Sequence, residues 1–135
     1  MPTIERVIPI LTYANIPAAH EFLVNVLGFE AGGVYRDEQG MAVHGEVRAA
    51  GTAIWLHRVT DEHAMASPLT APSSNGMVVM VDDVDAHHAH ARAAGAQVES
   101  EPHDMPYGQR EYGIRDPEGH RWWFAAPIPA AAARG

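Results

Sequence analysis

The sequence predicts an α+β protein made of two β-α-β-β-β modules in tandem. Three observations carry this. The segments ILTYANIPAAHEFLVNVLGFE, from Ile10 to Glu30, and VVMVDDVDAHHAHARAAGAQV, from Val78 to Val98, share one plan: a short apolar strand, an Asn or Asp, a helix and a glycine. Asn15 stands as far from Asp83 as Gly51 stands from Gly119, and each of those two glycines opens an apolar strand, GTAIWLHR or GHRWWFAA. Gly28 and Gly95 are closer by one residue, which reads as one residue deleted from the second helix.

Each element has its own justification. The first strand is the apolar run that ends at Tyr13, and Asn15 is a good N-cap for the helix after it. Ile16, Ala19, Phe22, Leu23, Val26 and Leu27 give that helix an apolar stripe, and Gly28 sits where a glycine closes a helix. A strand follows the glycine. GMAVHGEVRA and GTAIWLHR are two further strands meeting at a tight turn, Ala50-Gly51. The polar segment from Thr60 to Asn75, rich in Pro and Ser, reads as a linker. The second copy repeats the order, with Asp83 as N-cap and Gly95 as closing glycine. Its last hairpin turns on Asp116-Pro117-Glu118-Gly119, with Pro second and Gly fourth. The expected organisation is one domain over 1–135: module one at about 4–58, linker at about 59–75, module two at about 76–126 and a frayed tail at 127–135.

Composition removes several classes of function. There is no cysteine, so disulfides, thiolate metal sites and a cysteine nucleophile are excluded. All the basic residues are arginine, which excludes Schiff-base and P-loop lysine chemistry. A formal net charge of −8 argues against nucleic acid as a partner. No apolar run approaches the ~20 residues of a membrane span, and the N-terminus lacks the apolar core of a signal peptide. The expectation is a cytoplasmic protein with no membrane partner.

The two strand–cap–helix–glycine units and the closing YGIRDPEGHRWWF resemble the vicinal oxygen chelate superfamily, the group of glyoxalases, bleomycin-resistance proteins and extradiol dioxygenases. The resemblance runs from Ile8 to about Phe124. It implies a mixed sheet curled around a cavity, with the helices outside. It also implies, in metal-dependent members, a divalent ion held by one residue at the start of each module and one carboxylate on each module's last strand. Carried onto this chain, the starting positions are Ile8 and Gly76, seven residues before each cap. The carboxylate positions are Trp55 and Trp123, four residues after each strand glycine. An aliphatic, a glycine and two tryptophans do not hold such an ion, so neither metal nor other cofactor is expected there.

By strand alternation, Ile54, Leu56, Trp122 and Phe124 face the helices, while Trp55 and Trp123 face the cavity. The tryptophans either plug a lost metal site or form aromatic walls for a flat or hydrophobic ligand. His44, Glu46 and Arg48 share one strand face, and His57 shares the face of Trp55. His44, Glu46 and His57 are thus polar candidates for the same site, or an improvised metal site. The resemblance implies that the loop and strand of MPYGQREY cover the ligand, which makes Tyr107 and Arg110 candidates for that role. His87, His88 and His90 read as a solvated or half-buried helix face.

The resulting expectation is a metal-free protein that sequesters a bulky, partly aromatic natural product or antibiotic. Its ligand-binding residues would be Trp55, Trp123, His44, Glu46, His57, Tyr107 and Arg110. The resemblance also implies a homodimer with an exchanged N-terminal strand, and Pro9 stands where such a strand could change direction. The alternatives are a glyoxalase-type metal-dependent lyase, isomerase or dioxygenase, and a metal-free enzyme using His44 or Glu46 as general base.

Overall fold

The computed structural model describes residues 2–59, 69 and 76–129. Most of the expected linker and the end of the tail lie outside those residues. The chain divides into two compact units, Met1–Ser67 and Pro68–Gly135. The first contains β1 (Ile10–Tyr13), α1 (Ile16–Asn25), β2 (Glu30–Arg36), β3 (Ala42–Ala49) and β4 (Thr52–Arg58). The second contains β5 (Gly76–Met80), α2 (Val84–Ala93), β6 (Gln97–Asp104), β7 (Gln109–Arg115) and β8 (Arg121–Pro127). Each forms one four-stranded mixed sheet, ordered β1-β4-β3-β2 in the first and β5-β8-β7-β6 in the second. The opening strand of each pairs parallel with the last, and the other pairs are antiparallel. The α+β class and the tandem β-α-β-β-β plan are as the sequence predicts.

Strand register confirms the repeat. Ile10 lies opposite Trp55, and Val78 lies opposite Trp123 in the same relation. The N-caps work as expected: Asn15 accepts from the amide of Ala18, and Asp83 from that of Ala86, each at 3.0 Å. One expectation needs correcting. Both helices run ten residues, so the missing residue does not come from the second helix. It comes from the turn behind it. After α2, the amides of Gly95 and Ala96 bond back to Arg92 and Ala91, the tight closure that suits a glycine at φ +95°. After α1, those of Leu27 and Phe29 reach back to Phe22 and Leu23, a wider loop that holds one residue more.

The lost residue is regained in the last hairpin. Arg48 pairs with Ala53 across the four residues Ala49–Thr52, and Arg115 pairs with Arg121 across the five residues Asp116–His120. The shorter turn places Ala50 at φ 50° and Gly51 at φ 80°, the two positive angles of a type I′ hairpin turn. In the longer one, the buried Asp116 carboxylate accepts from the amides of Glu118 and His120 and from Trp122 Nε1, at 3.0–3.1 Å. β8 runs through Pro127, and the amide of Ile128 bonds to Gly108, so the tail is tied down at least that far.

Each core lies between one helix and one sheet face. In the first, Ile16, Ala19 and Leu23 of α1 are buried with Val47, Ile54 and Leu56. In the second, Val84 and Ala91 of α2 are buried with Tyr112, Ile114, Trp122 and Phe124. Trp122, with no exposed surface, is the largest of these side chains, and its burial contributes ~3 kcal/mol or more. His87 and His88 are half-buried and complete the helix contact. His87 stacks on Phe124 with ring centroids 4.0 Å apart, and its Nδ1 lies 2.6 Å from the Tyr112 hydroxyl. Burial pushes the Tyr112 phenol well above its ordinary pKa, so it stays protonated and can donate this bond. His90 is exposed.

Candidate functional site in two tryptophan-bearing sheet faces

With one face of each sheet against its helix, every second residue of a strand points to the other face. In the first unit this helix-free face carries His44 and Glu46 of β3, Trp55 and His57 of β4, and Tyr35 of β2. Direct cross-strand pairing sets them side by side: His44 with His57, Glu46 with Trp55, and Tyr35 with His44. Their rings form one cluster. His44 meets Trp55 edge-on at 5.3 Å and His57 at 5.0 Å, Tyr35 lies 5.6 Å from His44, and Trp55 and His57 are nearly parallel. Trp55 Nε1 donates to Glu46 Oε1 at 3.0 Å, while Arg48 pairs with the other carboxylate oxygen. The indole of Trp55 is therefore held by its edge.

The helix-free face of the second unit is different in character. Trp123 of β8 lies between Gly113 of β7, directly opposite, and β5, where Gly76 and Val78 flank it. Val78 and Met80 are 62% and 57% exposed, which makes the β5 edge of this face apolar. A methyl group placed on Gly76 would come within 2.1 Å of Trp123 Cζ3, and one on Gly113 within 2.9 Å of Ser100 Oγ and 3.1 Å of Trp123 Cδ1 and Nε1. The indole thus rests on bare backbone to either side of its own strand. At the end of this face, Glu99 pairs with Arg115 at 3.0 Å and with Arg121 at 3.5 Å.

Of the seven residues expected from the sequence, His44, Glu46, Trp55 and His57 come together in the first unit, and Trp123 stands on the matching face of the second. Tyr107, 65% exposed, reaches that second face through its hydroxyl, which donates to Glu111 Oε1 at 3.0 Å. Arg110 points the other way. It shares the face of the helix-facing Tyr112, two residues on, and its guanidinium binds both carboxylate oxygens of Asp85 on α2, at 2.9 and 3.1 Å, and Asp104 on β6 at 3.0 Å. It ties α2 to its sheet and is not brought together with the others. Sequence reasoning missed the role of Gly76 and Gly113. The available signal was that both share the face of Trp123 in a strand, where glycine marks a close approach.

The positions carried over for a family metal ion do not fit one. Ile8 and Gly76 offer no ligand atom, and Trp55 and Trp123 offer only indole N–H donors. The space beside Gly76 is filled by the Trp123 ring itself. Among the described residues, no three His, Asp or Glu side chains converge into a metal-ligating group, so His44, Glu46 and His57 form no improvised site of that size.

Residues 4–124 match the family model of the Glyoxalase/Bleomycin resistance protein/Dioxygenase superfamily. The chain belongs to that superfamily. It is 30% identical to TioX from Micromonospora sp. ML1, whose crystal structure superposes with a TM-score of 0.75, covering 92% of this chain and 99% of that one. It is 25% identical to the bleomycin-binding protein of bleomycin-producing Streptomyces verticillus, solved as its copper(II)-bleomycin complex, with a TM-score of 0.66 and coverage of 93% and 98%. An uncharacterized protein of Mycobacterium bovis is 27% identical over 124 residues, 89% of this chain and 82% of the relative.

Proposed function

We propose that this protein binds a bulky, partly aromatic natural product, such as an antibiotic, and acts by lowering its free concentration. The carrying observation is that Trp55 and Trp123 occupy equivalent strand positions, on helix-free faces, where metal-dependent relatives would need carboxylates. Aromatic stacking adds ~0.5–1.5 kcal/mol per ring pair beyond burial. Each indole can therefore supply affinity without a metal ion, Trp55 with His44 and His57 around it and Trp123 on the apolar edge formed by Val78 and Met80. Glu46 orients Trp55 and offers an acceptor at its edge. Similarity to a bleomycin-binding protein supports the same reading. The acidic balance of the chain favours a cationic ligand, with an attraction that physiological salt largely screens beyond ~8 Å. In this reading the protein is a cytoplasmic homodimer.

Calorimetric titration with metal-free bleomycin and with quinoxaline antibiotics tests the proposal. The expected result is saturable binding that quenches tryptophan fluorescence and weakens in Trp123→Ala. Undiminished binding after Trp55→Ala and Trp123→Ala together would overturn the stacking model. A stoichiometric divalent ion in protein purified without chelator would favour the glyoxalase-type enzyme instead.

A further inference from the structure

The two tryptophans are equivalent by register but not by posture, and neighbouring residues account for the difference. Trp123 sits on β8, the strand between β5 and β7. Its six-membered ring atoms Cε3, Cζ3 and Cη2 lie over Gly76 on β5, while Cδ1 and Nε1 lie by Gly113 on β7. An indole that touches backbone on both neighbouring strands lies flat across the sheet. One π-face rests on the strands and the other is turned away from them.

The first unit has no such arrangement. The position facing Trp55 as Gly113 faces Trp123 is Glu46, and the counterpart of Gly76 is Ile8. Both bear side chains. Trp55 is correspondingly caught at its N–H by Glu46 and packed against His44 and His57. The glycines thus leave room for the Trp123 ring over the neighbouring strands, where Trp55 meets side chains instead.

We propose that Gly76 and Gly113 are specificity-determining residues, which lay Trp123 down as a platform for a planar, fused-ring aromatic group of the ligand. This deepens the proposed binding function and rests on it. A flat platform bounded by the apolar Val78 and Met80 favours a ring system that can overlap the whole indole, with no demand for charge. The chemical class is therefore a natural product with an extended planar chromophore, such as a quinoxaline, in preference to one whose aromatic rings are small and isolated.

The test uses the full chain, with echinomycin as planar probe and metal-free bleomycin as the less extended one. 5-Fluorotryptophan labelling gives each of the three tryptophans its own 19F resonance. Gly76→Ala should shift the Trp123 resonance without ligand and weaken echinomycin about tenfold or more, since the ring can no longer lie flat. Bleomycin should lose less. Because Gly76→Ala could impair folding, Trp123→Phe and Trp123→Leu form a second arm. Phenylalanine keeps a flat ring and should retain binding within a few-fold. Leucine should lose about tenfold. Echinomycin binding that is strong in the native protein and unchanged in Trp123→Leu or in folded Gly76→Ala overturns the platform and leaves the binding function standing. Absence of binding by either compound to the native protein overturns both.

Discussion

At the scale of the residue, Asp116 does the most with one side chain. Its carboxylate satisfies two turn amides and the indole N–H of Trp122, all buried. Asp116→Ala would strand three donors beside the core, so we expect a loss of ~3 kcal/mol or more in urea unfolding. Ala50 is the opposite case, an L-residue at φ 50° in a turn that favours Asn or Gly. Ala50→Asn should raise stability by ~0.5 kcal/mol, read as a higher urea midpoint at unchanged slope. Both turns were legible, because turn chemistry is local and Asp116-Pro117-Glu118-Gly119 and Ala50-Gly51 carry it in adjacent residues. The triple role of Asp116 was not legible. It depends on the backbone path that brings Trp122 back over the turn.

At the scale of the element, the helices were legible from their caps and closing glycines, again local signals. The buried face of α2 was not. Val84, His87, His88 and Ala91 follow helical spacing, but two of the four are histidines, which an apolar stripe passes over. Their burial rests on Phe124, Tyr112 and Glu101, with His88 Nε2 2.7 Å from the Glu101 carboxylate. Arg110 was read as a ligand contact because the family resemblance implies that this loop and strand cover the ligand. Alternation from Tyr112 sends it to the helix instead. Arg110→Ala should therefore leave bleomycin and echinomycin binding unchanged in calorimetry while slightly lowering stability. The hydrogen bond from Arg110 holds the Asp85 carboxyl below its ordinary pKa of 3.8. A lowered carboxyl pKa stabilises the fold above the unfolded value and ceases to as pH falls through the folded one. The difference between native protein and Arg110→Ala should be full above about pH 3.8 and shrink below it.

At the scale of the whole molecule, duplication was the most legible property, because offsets between caps and glycines survive wherever strand pairing must. The proposed homodimer belongs to this scale. Sedimentation at micromolar concentration should give twice the mass of one chain, and a monomer alone would remove the proposed exchange of the N-terminal strand. In the described part of that strand, the carbonyl of Pro9 accepts from the amide of Trp55, so β1 begins beside the site. Among the described residues no helix is long and apolar enough to cross a membrane. The site itself was half legible. Trp55 and Trp123 had addresses from the repeat, but the glycines beneath one of them had no meaning until the sheet showed what they lie next to. The residue lost behind α2 and regained before β8 is taken up by turns, so register is kept and equivalent strand positions face the same way in both halves. That shared register makes the halves interchangeable parts for engineering. Ile8→Gly with Glu46→Gly would transplant the seat of Trp123 beneath Trp55, giving one chain two level aromatic surfaces to graft onto new ligands.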